Sequence, residues 1–224
     1  MKPTLAIVIP IGPGDNAWHG LLPQLEQVRA KEIALVLPSD RPGDPVPLTN
    51  ERLLMVVSRA GRARQLNAGA KATESDWLWF LHADSRFDSG TITALNAFIG
   101  DNPTALGYFN LRFLDDGPRR TAINALGARL RSRWLGLPFG DQGFVMPRRV
   151  YDALGGFDES LSSGEDHAMI WQAGKQAIPL RALPATLYTS ARKYSERGWW
   201  RTTREHLRQT WRQARLFSRS GALR

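Results

Sequence analysis

The apolar run from Asp76 to Leu81, Asp-Trp-Leu-Trp-Phe-Leu, ends abruptly in His82-Ala83-Asp84. Polar residues at the end of so apolar a strand need a reason. Alternate strand positions project to one side, so the His82 imidazole and the Asp84 carboxylate can both approach one divalent cation bridging a diphosphate. A capping Asp84 beside a hydrogen-bonded histidine explains the same residues without a ligand.

Three further groups have types and spacing that could do chemistry. Gly61-Arg62-Ala63-Arg64-Gln65-Leu66-Asn67-Ala68-Gly69 opens a helical stretch, where free backbone N–H groups and planar guanidinium donors favour phosphate oxygens. Solvated surface arginines and a glycine that lets helix and sheet approach closely are the plainer account. Glu165-Asp166 begins a helix after Ser162-Ser163-Gly164, the usual place for carboxylates that complement the helix dipole. With one of the pair capping the helix, the other carboxylate beside it is well placed to act as a general base toward a hydroxyl. Gly140-Asp141-Gln142-Gly143 puts two polar side chains in a glycine-flanked turn that lines an acceptor pocket or merely reverses the chain.

These residues need a scaffold, and the surrounding pattern supplies one. Leu5-Ala-Ile-Val-Ile9, closed by Pro10, reads as a strand buried on both faces. Apolar residues at helical spacing over 18–29, apolar runs at 33–37 and 52–58, a helix over 62–73 and the strand 76–81 continue a β-α-β alternation. That order implies a largely parallel sheet with helices on both faces, whose ligands bind beyond the carboxyl ends of the strands. Beyond residue 87 the expected elements are a helix at 89–100, a strand at 106–113, a basic helix at 119–134, a strand at 144–146 and helices at 148–154 and 165–174. The loop Pro38 to Pro47, with four prolines, reads as an ordered surface excursion.

Composition narrows the classes. A chain of 224 residues, 42% of them hydrophobic, suits one domain with an appendage, and no apolar stretch approaches the roughly 20 residues of a membrane-spanning helix. Cysteine is absent, which excludes disulfides, thiolate metal sites and cysteine nucleophiles and suits a cytoplasmic protein. Of the formal charge of +9, residues 192–224 carry +8, so one terminal segment alone is built to meet something anionic.

Taken in order, the four groups resemble the family 2 glycosyltransferases with the GT-A fold, over nearly all of residues 4–195. The resemblance is closest to small bacterial members with a Gly-Arg-Ala-x-Gln-x-Asn-x-Gly run and a Leu-His-Ala-Asp strand end, here Gly61 to Gly69 and Leu81 to Asp84. Gly140 to Gly143, Gly155-Gly156-Phe157-Asp158-Glu159 and Glu165-Asp166 match in type and spacing. The resemblance implies an α/β GT-A domain over 1–195, with a nucleotide-binding half at 1–87 and an acceptor half at 88–195. It implies inverting transfer from a nucleotide-diphosphate sugar to an acceptor hydroxyl, with Mn²⁺ or Mg²⁺ on the diphosphate.

Carried over residue by residue, Asp84 and His82 hold the metal, and Asp166 is the base with Glu165 as its rival. Donor contacts fall on Pro10, Ile11, Asp40, Gly61, Arg62, Gln65, Asn67, His82, Ala83 and Asp84, and acceptor contacts on Asp141 and Gln142. The chain departs from the family after its first two strands. Ile11-Gly12-Pro13-Gly14-Asp15 stands where a polar residue soon follows the proline, and Leu37-Pro38-Ser39-Asp40 where an earlier aspartate meets the nucleotide.

In the tail, residues 196–224, Arg201, Arg204, Arg208, Arg212, Arg215 and Arg219 recur every three or four residues. Trp200, Leu207, Trp211, Ala214 and Phe217 gather on an adjoining helical face. Such a helix lies on an anionic membrane surface, which suits a lipid-linked acceptor and a peripheral location, or packs on the domain or a second subunit. Two other functions share some features. A nucleic-acid-binding protein would use the tail's arginines and tryptophans but leaves the neutral body unexplained. A nucleotidyltransferase would also need a metal-binding aspartate but would release pyrophosphate.

Overall fold

The computed structural model describes residues 2–39, 51–118, 120–134, 136–204 and 208. Seven strands form one sheet: β1 (Leu5–Pro10), β2 (Glu32–Pro38), β3 (Leu53–Ser58), β4 (Trp77–Phe80), β5 (Leu106–Phe113), β6 (Val145–Pro147) and β7 (Leu180–Thr189). Their order is β3-β2-β1-β4-β6-β5-β7. The pairs β1–β2, β1–β4, β2–β3 and β5–β7 are parallel, and β6 runs antiparallel to both β4 and β5. One sheet therefore runs through both expected halves of the chain.

The side-chain alternation of the central strands explains their continuous hydrophobicity. Leu5, Ile7, Ile9, Trp77 and Trp79 point into one buried cluster, while Ala6, Val8, Leu78 and Phe80 point into another on the opposite face. The helices are α1 (Leu22–Leu25), α2 (Arg62–Lys71), α3 (Ser89–Asp101), α4 (Thr121–Trp134), α5 (Arg148–Leu154), α6 (Glu165–Lys175) and α7 (Arg192–Arg197), with residues 199–204 forming a further helical turn and a half.

Helix α2 lies so close to β1 and β2 that Gly69 has no room for a side chain. A methyl group there would overlap Val8 Cγ1 and sit 2.9 Å from Val36 Cγ2. Gly69→Ala gains about 0.8–1.0 kcal/mol of helix propensity but incurs about 1–3 kcal/mol of overpacking. We expect net destabilisation, read as a lower urea midpoint at unchanged m-value.

Three expectations change. The helical stretch at 18–29 becomes a single 3-10 turn, Ala17–Gly20, followed by the one-turn α1. The strand at 144–146 sits at Val145–Pro147. Strand β7 has no counterpart in the sequence reading, because Pro184 and exposed polar positions break its pattern. The ladder shifts register there: Tyr108 pairs Ala182 and Asn110 pairs Thr186, so Pro184 sits in a bulge on an edge strand, where its missing N–H is tolerated. The loop 38–47 lies almost wholly outside the described residues, as do Asp40 and the tail from Glu205 on, Arg208 excepted.

Candidate active site

Beyond the carboxyl end of β4 the chain makes a tight turn. Buried Ser85 closes it, its backbone N–H donating to the His82 carbonyl at 3.1 Å while its Oγ accepts from the His82 N–H at 3.1 Å. The turn keeps the strand alternation: Ala83 points into the core, whereas His82 and Asp84 face a cavity of about 400 Å³. Arg62, Asp141, Glu165 and Asp166 line the same cavity, together with Thr189, Lys193 and Tyr194 from the exit of β7 and from α7. Five segments of the chain, from Arg62 to Tyr194, thus meet at one place.

The cavity is rich in negative charge. Asp84, Asp141, Glu165 and Asp166 face the cations Arg62 and Lys193. Asp84 is lightly engaged: its Oδ1 accepts one long bond, 3.4 Å, from Thr189 Oγ1. Asp141 has an Oδ1 sealed from solvent with no partner, though the residue as a whole keeps some exposure. Burial pushes its carboxyl up to about 6, against the pull of the Arg131 guanidinium, and Asp166 raises it further.

Glu165, at the first turn of α6, is buried and pairs with Arg62 at 3.0 Å. Burial raises its carboxyl more than Arg62 lowers it. Asp166 is held from both sides, its Oδ2 accepting the Gly140 N–H at 2.8 Å and its Oδ1 the His167 N–H at 2.9 Å. A Cβ at position 140 would lie 3.2 Å from Arg62 Nη2 and 3.3 Å from Asp166 Cβ, tighter than ordinary van der Waals contact, so a side chain there would press on both.

The His82 ring is held well below the ordinary imidazole range, first by burial and then by Arg62 and Lys193, so it is neutral at pH 7. Its Nε2 is sealed from solvent and unpaired. A neutral imidazole with a free ring nitrogen, two positions from a lightly held carboxylate in a negatively charged cavity, fits a divalent cation bound by one or two side chains and completed by ligand phosphates. An all-protein cage is not what these residues form: among the described residues no group of three or more His, Cys, Asp or Glu could hold a metal.

Several residues expected to contact the donor or acceptor also make bonds within the protein. The Gln65 amide donates at 2.8 Å to the carbonyls of Ile11 and Val36, tying the ends of β1 and β2 to α2. The Asn67 amide donates to the Phe157 carbonyl at 2.9 Å and to Glu159 Oε1 at 2.8 Å, and its Oδ1 accepts from Tyr151 and the Phe157 N–H. Gln142 is fully buried, its amide spent on the Phe109 carbonyl and Ser132 and its Oε1 on the Phe139 N–H. Pro10, Ile11 and Gly61 stand at element ends outside the cavity wall; Ile11 is buried, and Gly61 has a φ of 128° at the N-cap of α2.

The sequence reading missed Arg131. Its guanidinium stacks 3.2 Å over the Phe139 ring, behind the cavity wall, and donates to the Leu137 carbonyl at 2.9 Å. Nothing in a helix rich in arginine distinguishes the one that turns inward. Thr189, Lys193 and Tyr194 were missed because β7 was.

The Asp141 shift has a measurable consequence. Below about 3.8, its unfolded value, the carboxyl is protonated folded or unfolded; as pH rises through about 6 the folded protein must ionise it in a poor environment, so its contribution to stability is lost. Asp141→Asn is expected to raise stability at pH 7.5 by the order of 2 kcal/mol and to leave it nearly unchanged at pH 4. Thermal unfolding at the two pH values checks this.

Residues 51–157 match the family model described as Glycosyl transferase family 2. Compared by sequence, no curated protein matches. Among solved structures, the mannosyltransferase PcManGT of Pyrobaculum calidifontis, in complex with GDP-Man and Mn²⁺, is similar with a TM-score of 0.57 at 16% identity over 84% of this chain and 57% of that one. TarS of S. aureus, in complex with UDP-GlcNAc, gives a TM-score of 0.59 at 16% identity over 84% of this chain and 58% of that one. The chain thus spans less than two thirds of the structures it matches. By its sheet topology and these likenesses the chain has the GT-A glycosyltransferase fold, and its residues 51–157 carry the pattern of glycosyl transferase family 2.

Proposed function

We propose that this chain is a metal-dependent, inverting glycosyltransferase that moves a sugar from a nucleotide-diphosphate donor to an acceptor hydroxyl. The observation that carries the reading is the lightly held Asp84 at the end of β4, in a cavity with four carboxylates against two cations. A divalent ion, Mn²⁺ or Mg²⁺, bound at Asp84 with His82 beside it would neutralise charge building on the departing nucleoside diphosphate. Arg62 and Lys193 are within the same cavity to meet phosphate oxygens.

Asp166 is the better general base of the adjacent pair. Gly140 fixes its orientation, and a carboxylate that accepts one N–H on each oxygen keeps lone pairs for an acceptor proton. Glu165 is committed to Arg62 and orients that guanidinium. In the transfer the acceptor oxygen bonds to the anomeric carbon while its proton passes to Asp166, and the bond from that carbon to the diphosphate oxygen breaks on the opposite face, which inverts the configuration. Asp141, near Asp166 and at the cavity wall, is the acceptor-side polar contact.

The similar structures hold two different nucleotides, GDP-Man and UDP-GlcNAc, and the departures at Pro10–Asp15 and Pro38–Asp40 leave both bases open here. A thermal-shift screen of GDP, UDP and their sugars with Mn²⁺ tests the reading. Saturation at a hundred times Kd should add about 2.7 kcal/mol. No shift with any nucleotide would sink it. Release of pyrophosphate from a triphosphate, in place of a nucleoside diphosphate from its sugar, would favour a nucleotidyltransferase.

The tail's alternatives divide. Trp199 Nε1 donates to Asn124 Oδ1 at 2.7 Å and Asn124 Nδ2 donates to Thr203 Oγ1 at 3.0 Å, so residues 199–204 pack on α4 of the domain. The remaining tail positions named for a membrane, a second subunit or nucleic acid, Leu207 and Trp211 to Arg219, lie outside the described residues.

A further inference from the structure

Helix α4 presents two faces. Its inner face buries Thr121, Ala128 and Ser132, with the Ser132 carbonyl accepting from Tyr108 and its Oγ from Gln142. Its outer face carries Ile123, Leu126, Leu130 and Trp134, which are 62%, 56%, 48% and 83% exposed. At 100° per residue these four fall within one stripe, directly opposite the buried face. The helix turn at 199–204 packs on the flank of the same helix: Asn124 binds Trp199 and Thr203, and Trp199 packs edge-on against Trp200, which is 72% exposed. Large apolar side chains gathered in this way on a surface mark an interaction site.

The surrounding charge identifies the partner. Arg129 and Arg133 are exposed along one edge of the stripe, and Arg201 and Arg204 are exposed on the adjoining turn. Neither α4 nor residues 197–204 contain a single Asp or Glu. A second copy of this face would bring like charges together. Residues 205–224, with five arginines against Glu205, are cationic as well. What complements an apolar stripe edged by arginine and bearing tryptophan is a sheet of anionic headgroups over hydrocarbon. No described helix is long and apolar enough to cross a membrane, so the contact is one of lying on the surface.

We propose that the outer face of α4 docks on an anionic lipid bilayer. The helix lies flat over about 21 Å, its 14 residues at the usual rise, with Leu130 and Trp134 entering the headgroup boundary and Arg129 and Arg133 meeting lipid phosphates. The test does not depend on transfer activity.

The full chain is mixed with vesicles of phosphatidylcholine alone or with phosphatidylglycerol added, and partition is read by co-sedimentation. The wild type should bind the phosphatidylglycerol vesicles, more weakly as salt rises, and pure phosphatidylcholine far less. Leu130→Gln with Trp134→Gln should lower partition by about tenfold per side chain, at unchanged Tm because both are exposed. Arg129→Ser with Arg133→Ser should lower it by about fivefold per charge. Wild-type protein that stays in the supernatant overturns the proposal, as does a Leu130/Trp134 variant that binds like the wild type. So does a concentration-dependent dimer in sedimentation velocity that the same variant abolishes.

Discussion

Asp84→Ala is expected to abolish the joint stabilisation of the protein by Mn²⁺ and a nucleoside diphosphate and to lower kcat/KM by about a thousandfold or more, the scale for losing a main electrostatic contact to a departing charge. The ligand-free protein should hardly notice. Asp84 accepts the 3.4 Å bond from Thr189 and attracts the partly buried Arg86, while three other carboxylates share its cavity, so removing its charge relieves repulsion as it loses these partners. Unliganded Tm should therefore move by no more than about 0.5 kcal/mol of equivalent stability, the usual range where no buried network is broken. Asp84→Asn keeps the Thr189 contact and removes the charge. Full metal-dependent stabilisation in that variant would move the metal elsewhere.

The second large effect concerns the pair at the start of α6. Asp166→Asn should lower kcat by about 10² to 10⁴, the range for removing a general base, while nucleotide binding persists. The asparagine carbonyl can still accept the Gly140 N–H, so the loop stays in place and the loss reads as chemistry. Glu165→Gln should act differently. It leaves Arg62 without its ion pair and so should raise the donor KM more than it lowers kcat. Single-turnover kinetics on both variants separate the roles, and a kcat collapse confined to Glu165→Gln would exchange them.

The fold was legible where burial imposes a pattern. Strand β4 announces itself by apolar residues on both faces, and the alternation that sends Ala83 to the core and His82 and Asp84 to the cavity follows from strand geometry alone. Glu165-Asp166 was legible as a carboxylate pair at a helix start, but neighbouring helix positions diverge by about 100°, so which way either faces was not. What could not be read were partners distant in sequence. Gln65 and Asn67 have the chemistry of ligand contacts, yet they satisfy backbone groups up to 90 positions away, which no local spacing reveals. Arg131 turns inward among arginines that do not, toward the Phe139 ring, the Leu137 carbonyl and the Asp141 carboxylate, none of them readable from its own helix. Strand β7 was hidden by the proline in its bulge, and with it went Thr189, Lys193 and Tyr194.

Strand β7 also sets the order in which the molecule can be finished at the ribosome. Strands β1 to β4 and helix α2 emerge first and can assemble from short parallel crossovers, but β5 must wait for a neighbour that is translated about seventy residues after it. Until then one sheet edge stands open, a template for pairing with other chains. The wall that completes the cavity, Thr189 through Tyr194, follows directly behind that strand. A nascent chain can therefore hold Asp84 and Arg62 in place while one wall of their cavity is still missing, and that wall arrives only when β7 covers β5 and becomes the new edge.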